Sequence, residues 1–378
     1  MKSIDAVIIG GGIIGCSIAR SLAGEKLKVA VIERGSPGEE ASWAAAGMLA
    51  PSAEAESDSA LFQACRASLK LYRSFAAELE AETGIDPQYR SEGTLLLFEN
   101  EREREALLAS VEWQRKIGIA IPELTAAQLR QQEPELQPCE GAFFLPDDHS
   151  INNRLLMRAL IASCQQRGVE FLLGQAVNGV TQLGSKASGV VLEDGGMEAP
   201  LIINTAGAWA ASISVPGRPA APIRPVKGHM IALDASRLPL RHVVRTHGAY
   251  LVPRQNGSVV VGSTMEEAGF DKTPRAGPLA KLLCAAQRLC PVLEQSTIRE
   301  FWAGLRPAAP DGLPLLGPSS LEGYWMALGH FRNGILLTPI TAQILSSWVL
   351  TGNPGFAVDA LLARRFESQP PSGAADNH

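Results

Sequence analysis

The chain consists of short apolar runs separated by longer amphipathic stretches and by loops rich in Gly, Pro, Ser and Asn. Short runs rich in Val, Ile and Leu predict strands, and apolar residues at helical spacing predict helices. The predicted strands are 6–9, 29–32, 89–98, 142–146, 169–173, 177–183, 187–192, 201–204, 250–253, 258–262, 298–305 and 325–327. The first predicted helix runs through Cys16, Ser17, Ala19 and Leu22, and the others cover 61–83, 101–117, 152–167, 279–289 and about 333–350.

The first strand runs directly into a glycine-rich turn, GGGIIG, that opens the first helix. This is G-x-G-x-x-G between strand and helix, which places a pyrophosphate on the N–H groups of a helix N-terminus. Gly10 permits the tight turn, Gly12 lets the backbone approach the phosphate, and Gly15 lets helix and strand pack closely. Glu33 ends the second strand near the spacing of about 20 residues expected for a ribose-binding carboxylate. Since a carboxylate disfavours a 2′-phosphate, the pattern predicts FAD or NAD rather than NADP.

Dinucleotide-type segments stand at the beginning, middle and end of the chain, with β-rich segments between them. The predicted fold is mixed α/β, with a Rossmann-like domain interleaved with a smaller antiparallel-sheet domain. We assign 1–84, 145–219 and 300–366 to the first domain and 85–144 and 220–299 to the second. The polar tail, 367–378, is predicted to be disordered.

Composition excludes several classes of function. The net charge of −5 and the absence of Lys/Arg runs predict neither nucleic-acid nor membrane-surface binding. The six cysteines form no C-x-x-C pair and no zinc spacing, which favours free thiols in a reducing compartment and no metal. The apolar run 335–350 is short for a membrane span and contains Pro339 and Gln343. A cytoplasmic, soluble protein is therefore expected.

Three further segments carry a family resemblance: ASWAAAGMLAP at 41–51, FWAGLRPAAPDGLPLLG at 301–317 and LGHFRNGILLTP at 328–339. Together with the N-terminal motif they resemble the D-amino-acid oxidase family of FAD-dependent oxidoreductases, and most closely its glycine-oxidase branch. The resemblance extends over residues 4–366. It implies that the Rossmann-like domain binds FAD and that the second domain binds the substrate.

The resemblance also implies how FAD is held. Some relatives attach it covalently through a cysteine near the C-terminus, but no cysteine follows Cys290 here, so noncovalent FAD is expected. The loop 328–336 would lie at the flavin, and the N-terminus of the last helix would stabilise its negative charge when reduced. The predicted cofactor-binding residues are Gly10, Gly12, Ile13, Ile14, Gly15, Glu33, Arg34, Ala41, Ser42, Ala46, Gly47, Met48, Val177, Ala206, Gly207, His330, Phe331, Arg332, Asn333, Gly334, Ile335 and Leu336.

The predicted substrate-binding residues centre on Arg306, which follows an apolar strand and precedes a proline. A guanidinium fixed there is suited to a bidentate pair with a substrate carboxylate. By the resemblance, Tyr250 assists it by hydrogen bonding, Arg332 contacts the substrate, and Met265 lines the pocket. Ala50 stands where some relatives have glycine, and its methyl group would trim the pocket.

The implied reaction is the oxidation of glycine, sarcosine or small D-amino acids. A hydride passes to FAD, O2 yields H2O2, and the imine hydrolyses to glyoxylate and ammonia. Six histidines in no triad-like setting fit a reaction without a general base. The resemblance further implies a supply of dehydroglycine for the thiazole of thiamine, and a homotetramer. The alternatives are a D-amino-acid dehydrogenase that reduces a quinone, an NAD-dependent dehydrogenase, and a nonenzymatic flavin-binding assembly protein.

Overall fold

The structure is a computed structural model that describes residues 3–236, 238 and 240–367. Its helices are α1 (Ile13–Gly24), α2 (Ala41–Ala44), α3 (Ala60–Thr83), α4 (Glu101–Lys116), α5 (Ala126–Gln132), α6 (Asn153–Gln166), α7 (Ala276–Leu289) and α8 (Thr338–Thr351). Its strands are β1 (Ala6–Ile9), β2 (Val29–Glu33), β3 (Met48–Leu49), β4 (Thr94–Phe98), β5 (Glu123–Thr125), β6 (Gly141–Leu145), β7 (His149–Ser150), β8 (Glu170–Leu173), β9 (Gly179–Leu183), β10 (Lys186–Leu192), β11 (Gly195–Glu198), β12 (Leu201–Asn204), β13 (Arg224–Asp234), β14 (Val243–Arg245), β15 (Tyr250–Pro253), β16 (Ser258–Gly262), β17 (Ile298–Ala308), β18 (Leu315–Pro318) and β19 (Tyr324–Leu328).

A six-stranded sheet in the order β18-β19-β12-β1-β2-β8 forms the nucleotide-binding half. All its neighbouring pairs are parallel except β18–β19 at one edge. β1 and β2 are buried throughout, because one face packs on helices α1, α3, α6 and α8 and the other on the small sheet β9–β11. Strands covered on both faces read as continuous apolar runs, which is how the sequence presents them.

An eight-stranded sheet in the order β17-β13-β16-β15-β14-β4-β6-β5 forms the other half. Its pairs are antiparallel except β14–β4. Helix α7 packs on this sheet through Leu282, Ala286 and Leu289, and α4 packs through Val111. The long pairing of β13 with β17 carries Arg306 opposite Val226.

The two sheets draw on alternating stretches of the chain, as an interleaved layout requires. One strand differs from the assignment made from sequence. Residues 300–308 were assigned to the FAD-binding domain, but they belong to β17 and pair with β13 in the eight-stranded sheet. An apolar strand pattern does not reveal which sheet the strand joins. The exact domain limits stay a prediction.

The last helix also differs from its predicted bounds, since it begins at Thr338 rather than near Asn333. Pro339 sits in its first turn, where a missing backbone N–H costs nothing. Residues 334–337 form turns before it. Among the described residues, no helix is both long and apolar enough to cross a bilayer. The tail predicted to be disordered lies, apart from Glu367, outside the described residues.

Candidate cofactor and substrate site

The glycine-rich turn leaves the N-terminus of α1 open to a ligand. Gly10 has a φ of +101°, and a Cβ there would lie 2.9 Å from the carbonyl oxygen of Thr205. A Cβ on Gly12 would meet only Ser42 Oγ, at 3.4 Å, so the space beside this turn is open. The N-cap residue of α1, Gly12, makes no side-chain cap, and Ile13 N–H donates to Ser42 Oγ at 2.9 Å. Uncapped N–H groups beside a hydroxyl suit a pyrophosphate.

Glu33 marks the end of the cavity predicted to hold a ribose. It is buried, and its carboxylate accepts hydrogen bonds from Gly11 N–H at 2.7 Å and Gly35 N–H at 2.9 Å. These bonds hold the carboxylate beside the glycine-rich turn. The next residue, Arg34, has its guanidinium 3.4 Å from the centre of the Trp209 ring. The same cavity is lined by Val177, Ala206 and Gly207.

The segment 41–51, whose residues 46–48 are predicted to pass the flavin ring and which we call the flavin loop, is tied down by two residues that sequence reasoning missed. Arg254 donates to the carbonyl oxygens of Ala46 at 2.7 Å and Ile151 at 2.6 Å, and to Asn153 Oδ1 at 3.0 Å. Asn153 in turn donates to the Ser42 carbonyl at 2.8 Å. Burial lowers the pKa of Arg254 to about 10. Both residues bind backbone carbonyls far away in the chain, so no local pattern reveals them.

Arg306 projects from β17 into the same cavity. Its Nη2 donates to Ser263 Oγ at 2.6 Å, and its Nη1 donates to the Thr264 carbonyl at 3.2 Å. A Cβ on Gly228 would overlap the guanidinium, so the glycine makes room for it. Burial raises the pKa of the Tyr250 phenol, although Arg306 opposes the rise. Tyr250 is therefore a neutral hydrogen-bond donor beside a cation.

A buried carboxylate, Glu54, faces two further arginines and was not predicted from sequence. Arg245 Nη1 donates to it at 2.7 Å, and Arg332 Nε lies 3.2 Å from its other oxygen as an ion pair. Burial would raise the pKa of Glu54, but Arg245 and Arg332 lower it below its usual value. The group is thus ionised at neutral pH. Arg306, Arg332 and Glu54 line this end of the cavity, and Arg245 pairs with Glu54 from outside its walls, so the positive charges outnumber the negative one, which favours an anionic ligand.

The 328–336 segment contributes a continuous wall, residues 328–335, of the cavity. His330 is buried, its Nε2 lies 3.1 Å from Thr341 Oγ1, and burial lowers its pKa to about 3. It is neutral at neutral pH and hydrogen-bonded within the fold. Leu336 lies behind the wall, where its carbonyl accepts from Ser68 Oγ at 2.5 Å.

Most of the predicted site residues meet in this one cavity. Gly15 and Leu336 lie outside its walls, Gly15 because it packs helix α1 against the turn at Gly10. Met265 is also outside and is 60% exposed, so the structure does not bring it to the pocket. The predicted residues that line the cavity are Gly10, Gly12, Ile13, Ile14, Glu33, Arg34, Ala41, Ser42, Ala46, Gly47, Met48, Ala50, Val177, Ala206, Gly207, Tyr250, Arg306, His330, Phe331, Arg332, Asn333, Gly334 and Ile335.

The fold and this cavity define a Rossmann-type oxidoreductase with a dinucleotide cradle at one end and a guanidinium at the other. The model of the family of FAD-dependent oxidoreductases, DAO, matches residues 5–348. The chain belongs to this family, and its cofactor is FAD. The family assignment removes the NAD-dependent alternative.

Several known proteins are similar to this chain. It is 36% identical over 380 residues to the bifunctional protein ThiO/ThiG of Trichormus variabilis, covering 97% of this chain and 55% of that protein. The chain thus spans about half the length of the ThiO/ThiG relatives. It is 33% identical to glycine oxidase of Pseudomonas putida (93% of this chain, 95% of that protein). It is 31% identical to hydrogen cyanide synthase subunit HcnC of Pseudomonas aeruginosa (98% of each).

Among solved structures, glycine oxidase from Geobacillus kaustophilus matches with a TM-score of 0.92 and 31% identity, over 97% of this chain and 99% of that chain. Iminodiacetate oxidase from Chelativorans sp. BNC1 matches with a TM-score of 0.86 and 27% identity, over 94% of this chain and 98% of that chain. The mixed α/β, FAD-binding fold predicted from sequence is confirmed.

Proposed function

We propose that this protein oxidises glycine and other small amines, including sarcosine and small D-amino acids. The observation that carries the proposal is Arg306, whose guanidinium is held by neutral oxygens beside the neutral phenol of Tyr250. Its positive charge is free to pair with a substrate carboxylate. The similarity to proteins named glycine oxidase supports a small α-amino acid as the substrate.

FAD would be held by the N-terminus of α1, by Ser42 and Glu33, and by the 328–335 wall. When bound, it supplies the oxidising power for hydride removal from the substrate Cα, with O2 as final acceptor. The balanced reaction is glycine, O2 and water to glyoxylate, ammonia and H2O2. The protein's own contribution is orientation: Arg306 and Tyr250 fix the carboxylate, so that a Cα hydrogen is presented in one direction.

No side chain is assigned as a general base. The Nε2 of His330 is hydrogen-bonded to Thr341 Oγ1, and its pKa of about 3 makes the imidazole a weak proton acceptor. Glu54 is paired with two arginines, and its lowered pKa has the same effect. The amine would therefore enter the reaction in its neutral form, and turnover would rise with pH as more of the substrate amine is deprotonated.

We extend the proposal to a role in thiamine biosynthesis, where the imine of glycine serves as a precursor of the thiazole. The similarity to ThiO/ThiG proteins supports it. The cytoplasmic location and the homotetramer stay predictions. The nearest rival function is a D-amino-acid dehydrogenase that passes electrons to a quinone, which would share the cavity and the cofactor.

The experiment is a product balance. Purified, detergent-free holoenzyme is mixed with glycine, sarcosine or D-alanine in air, and O2, H2O2, ammonia and the 2-oxo acid are measured. For glycine and D-alanine the proposal predicts one H2O2 and one ammonia per O2, with glyoxylate from glycine and pyruvate from D-alanine. For sarcosine it predicts one methylamine in place of ammonia, together with glyoxylate and H2O2. Turnover with an artificial quinone but without H2O2 would favour the dehydrogenase. Cyanide as the product from glycine would instead favour the chemistry named in the HcnC relative.

A further inference from the structure

Asp148 is a buried carboxylate outside the cavity walls and the proposed mechanism. It has no exposed surface and lies in the turn between β6 and β7. Its two oxygens accept hydrogen bonds from the backbone N–H groups of Ser52 at 2.9 Å and Ala53 at 2.7 Å. Among the residues that the structure describes, it forms no ion pair. Its partners are thus two successive amides of one loop.

That loop leads directly to the substrate end of the cavity, because the next residue is Glu54. Glu54 pairs with Arg245 at 2.7 Å and with Arg332 at 3.2 Å. The remaining guanidinium there, Arg306, has the neutral partners Ser263 and Thr264. Glu54 therefore binds both of these guanidinium groups, its single negative charge balancing one of their two positive charges, and Arg306 is left for the substrate carboxylate.

We propose that Asp148 is a positioning residue: it fixes the amides of Ser52 and Ala53 and thereby holds Glu54 against Arg245 and Arg332. Through Glu54 it gives the substrate one carboxylate-binding orientation. This inference rests on the proposed function. If Glu54 moved away, Arg332, which also lines the cavity, would compete with Arg306 for the carboxylate, and part of the bound substrate would be misoriented.

The requirement for a carboxylate follows from the two N–H donors. Each donor needs an acceptor, and a carboxylate provides one oxygen for each. An asparagine provides one oxygen, and its NH2 group would face the second N–H, donor against donor. The loop has side-chain ties on either side, from Gln114 Nε2 to the Ser52 carbonyl at 3.1 Å and from Ser110 Oγ to the Ala55 carbonyl at 2.8 Å. These bind carbonyl groups and cannot replace the two bonds to amides.

Burial also makes the ionised form of Asp148 energetically unfavourable. Burial raises the pKa of Asp148 to about 7, although the N–H groups of Ser52 and Ala53 and the charge of Arg245 on β14 oppose the rise. The other titratable group that faces it is the Cys65 thiol on α3. The raised pKa means that ionisation of Asp148 works against stability at neutral pH. Asp148 therefore places the loop through its two hydrogen bonds to Ser52 and Ala53, and not through its charge.

The test is a double-mutant cycle on the FAD-loaded enzyme with Asp148→Asn, Glu54→Gln and the pair. Because small displacements of the reacting groups are costly, we expect each single variant to lower kcat for glycine about tenfold. The pair should resemble Glu54→Gln alone, since Asp148 acts through Glu54. FAD content should not change. The control is Glu133→Gln, a second buried carboxylate, outside the cavity walls, whose Oε1 accepts backbone N–H bonds from Arg241 at 3.0 Å and His242 at 2.8 Å and lies 2.7 Å from His242 Nδ1. It should leave kcat within about twofold.

Amide hydrogen exchange gives a readout that needs no turnover. Ser52 and Ala53 should exchange slowly in the wild-type enzyme and faster in Asp148→Asn, and Glu133→Gln should leave them unchanged. Should the Asp148 variant not fold, fast exchange at both wild-type amides would overturn the proposal by itself. The proposal would also be overturned if Asp148→Asn lowered kcat by the same factor in the wild-type enzyme and in the Glu54→Gln variant. If the wild-type enzyme oxidises no amine, the proposed function fails, and the exchange data still decide whether Asp148 fixes the loop.

Discussion

The indole N–H of Trp302 donates a hydrogen bond to the carbonyl oxygen of Ala44 at 3.0 Å. Trp302 lies on β17, and Ala44 is the last residue of helix α2, within the flavin loop, residues 41–51. The same strand carries Arg306, which lines the cavity. Gly304, between Trp302 and Arg306, leaves room for the Ala44 side chain, which a Cβ at position 304 would overlap. One rigid strand therefore supports the cofactor loop and the carboxylate-binding group together, which fixes their relative position.

The first prediction concerns Arg306. Removing one partner of a buried charge pair costs about 2–5 kcal/mol, so Arg306→Ala should lower kcat/KM for glycine about 30-fold or more. FAD should remain bound, because the proposed cofactor contacts lie elsewhere. Steady-state kinetics and the visible spectrum check both parts. Efficiency within about threefold of the wild type would remove Arg306 from the site.

The second prediction concerns the anchor of the flavin loop. Arg254→Gln should weaken FAD binding about tenfold or more, because it leaves buried carbonyls without donors at about 1–3 kcal/mol each. Fluorescence titration of the apoprotein with FAD measures this. The matched control is Arg299→Gln. Arg299 lies on β17 of the eight-stranded sheet and forms an ion pair with Asp234 at 3.0 Å, but this pair lies at the surface. A control that loses as much FAD affinity as Arg254→Gln would contradict a specific role.

The third prediction is that FAD is released on denaturation. No cysteine follows Cys290, and Cys290 is itself buried in the core beneath the eight-stranded sheet. Acid precipitation should therefore leave a yellow supernatant and a colourless pellet. A flavin that stays with the precipitated chain would show a covalent bond and contradict the prediction.

The fourth prediction concerns stability and pH. Burial would raise the pKa of Glu82, but Arg167, Arg20 and Ser163 lower it to about 2. The folded pKa is below the unfolded value of about 4.3, so the stabilisation is present above about pH 4 and is lost as the pH falls towards about 2. Glu82→Gln should lower the Tm at pH 7, and the difference should shrink below about pH 4. A difference that is constant over this range would mean that the charge of Glu82 does not matter.

Local features of the chain predicted the cofactor end of the site. Gly10, Gly12 and Glu33 follow from a turn whose chemistry is contained in a short stretch, and the structure places all three along one cavity. Their contacts with FAD stay a prediction. The buried strands β1 and β2 were readable because both of their faces are covered. Arg306 was singled out by the family resemblance and by its place before a proline, but the structure has it inside β17, which continues through Pro307 to Ala308, and not after the end of the strand.

The remaining parts depend on contacts between distant segments. Glu54 acquires its role only when β14 brings Arg245 to it, and Arg254 only when it reaches Ala46 and Ile151. Asp148 is one acidic residue among many in the sequence, and its burial is visible only in the fold. Met265 shows the opposite error, because the resemblance placed it in the pocket but the structure leaves it exposed.

The most direct test of the central claim is the visible spectrum of the holoenzyme during anaerobic titration with glycine. We expect the yellow flavin absorbance to bleach fully, and we expect O2, when admitted, to restore it with release of H2O2. Arg306→Ala should bleach only at much higher glycine concentration. A flavin that stays oxidised with glycine, sarcosine and D-alanine would contradict the proposal that this cavity binds and oxidises small amino acids.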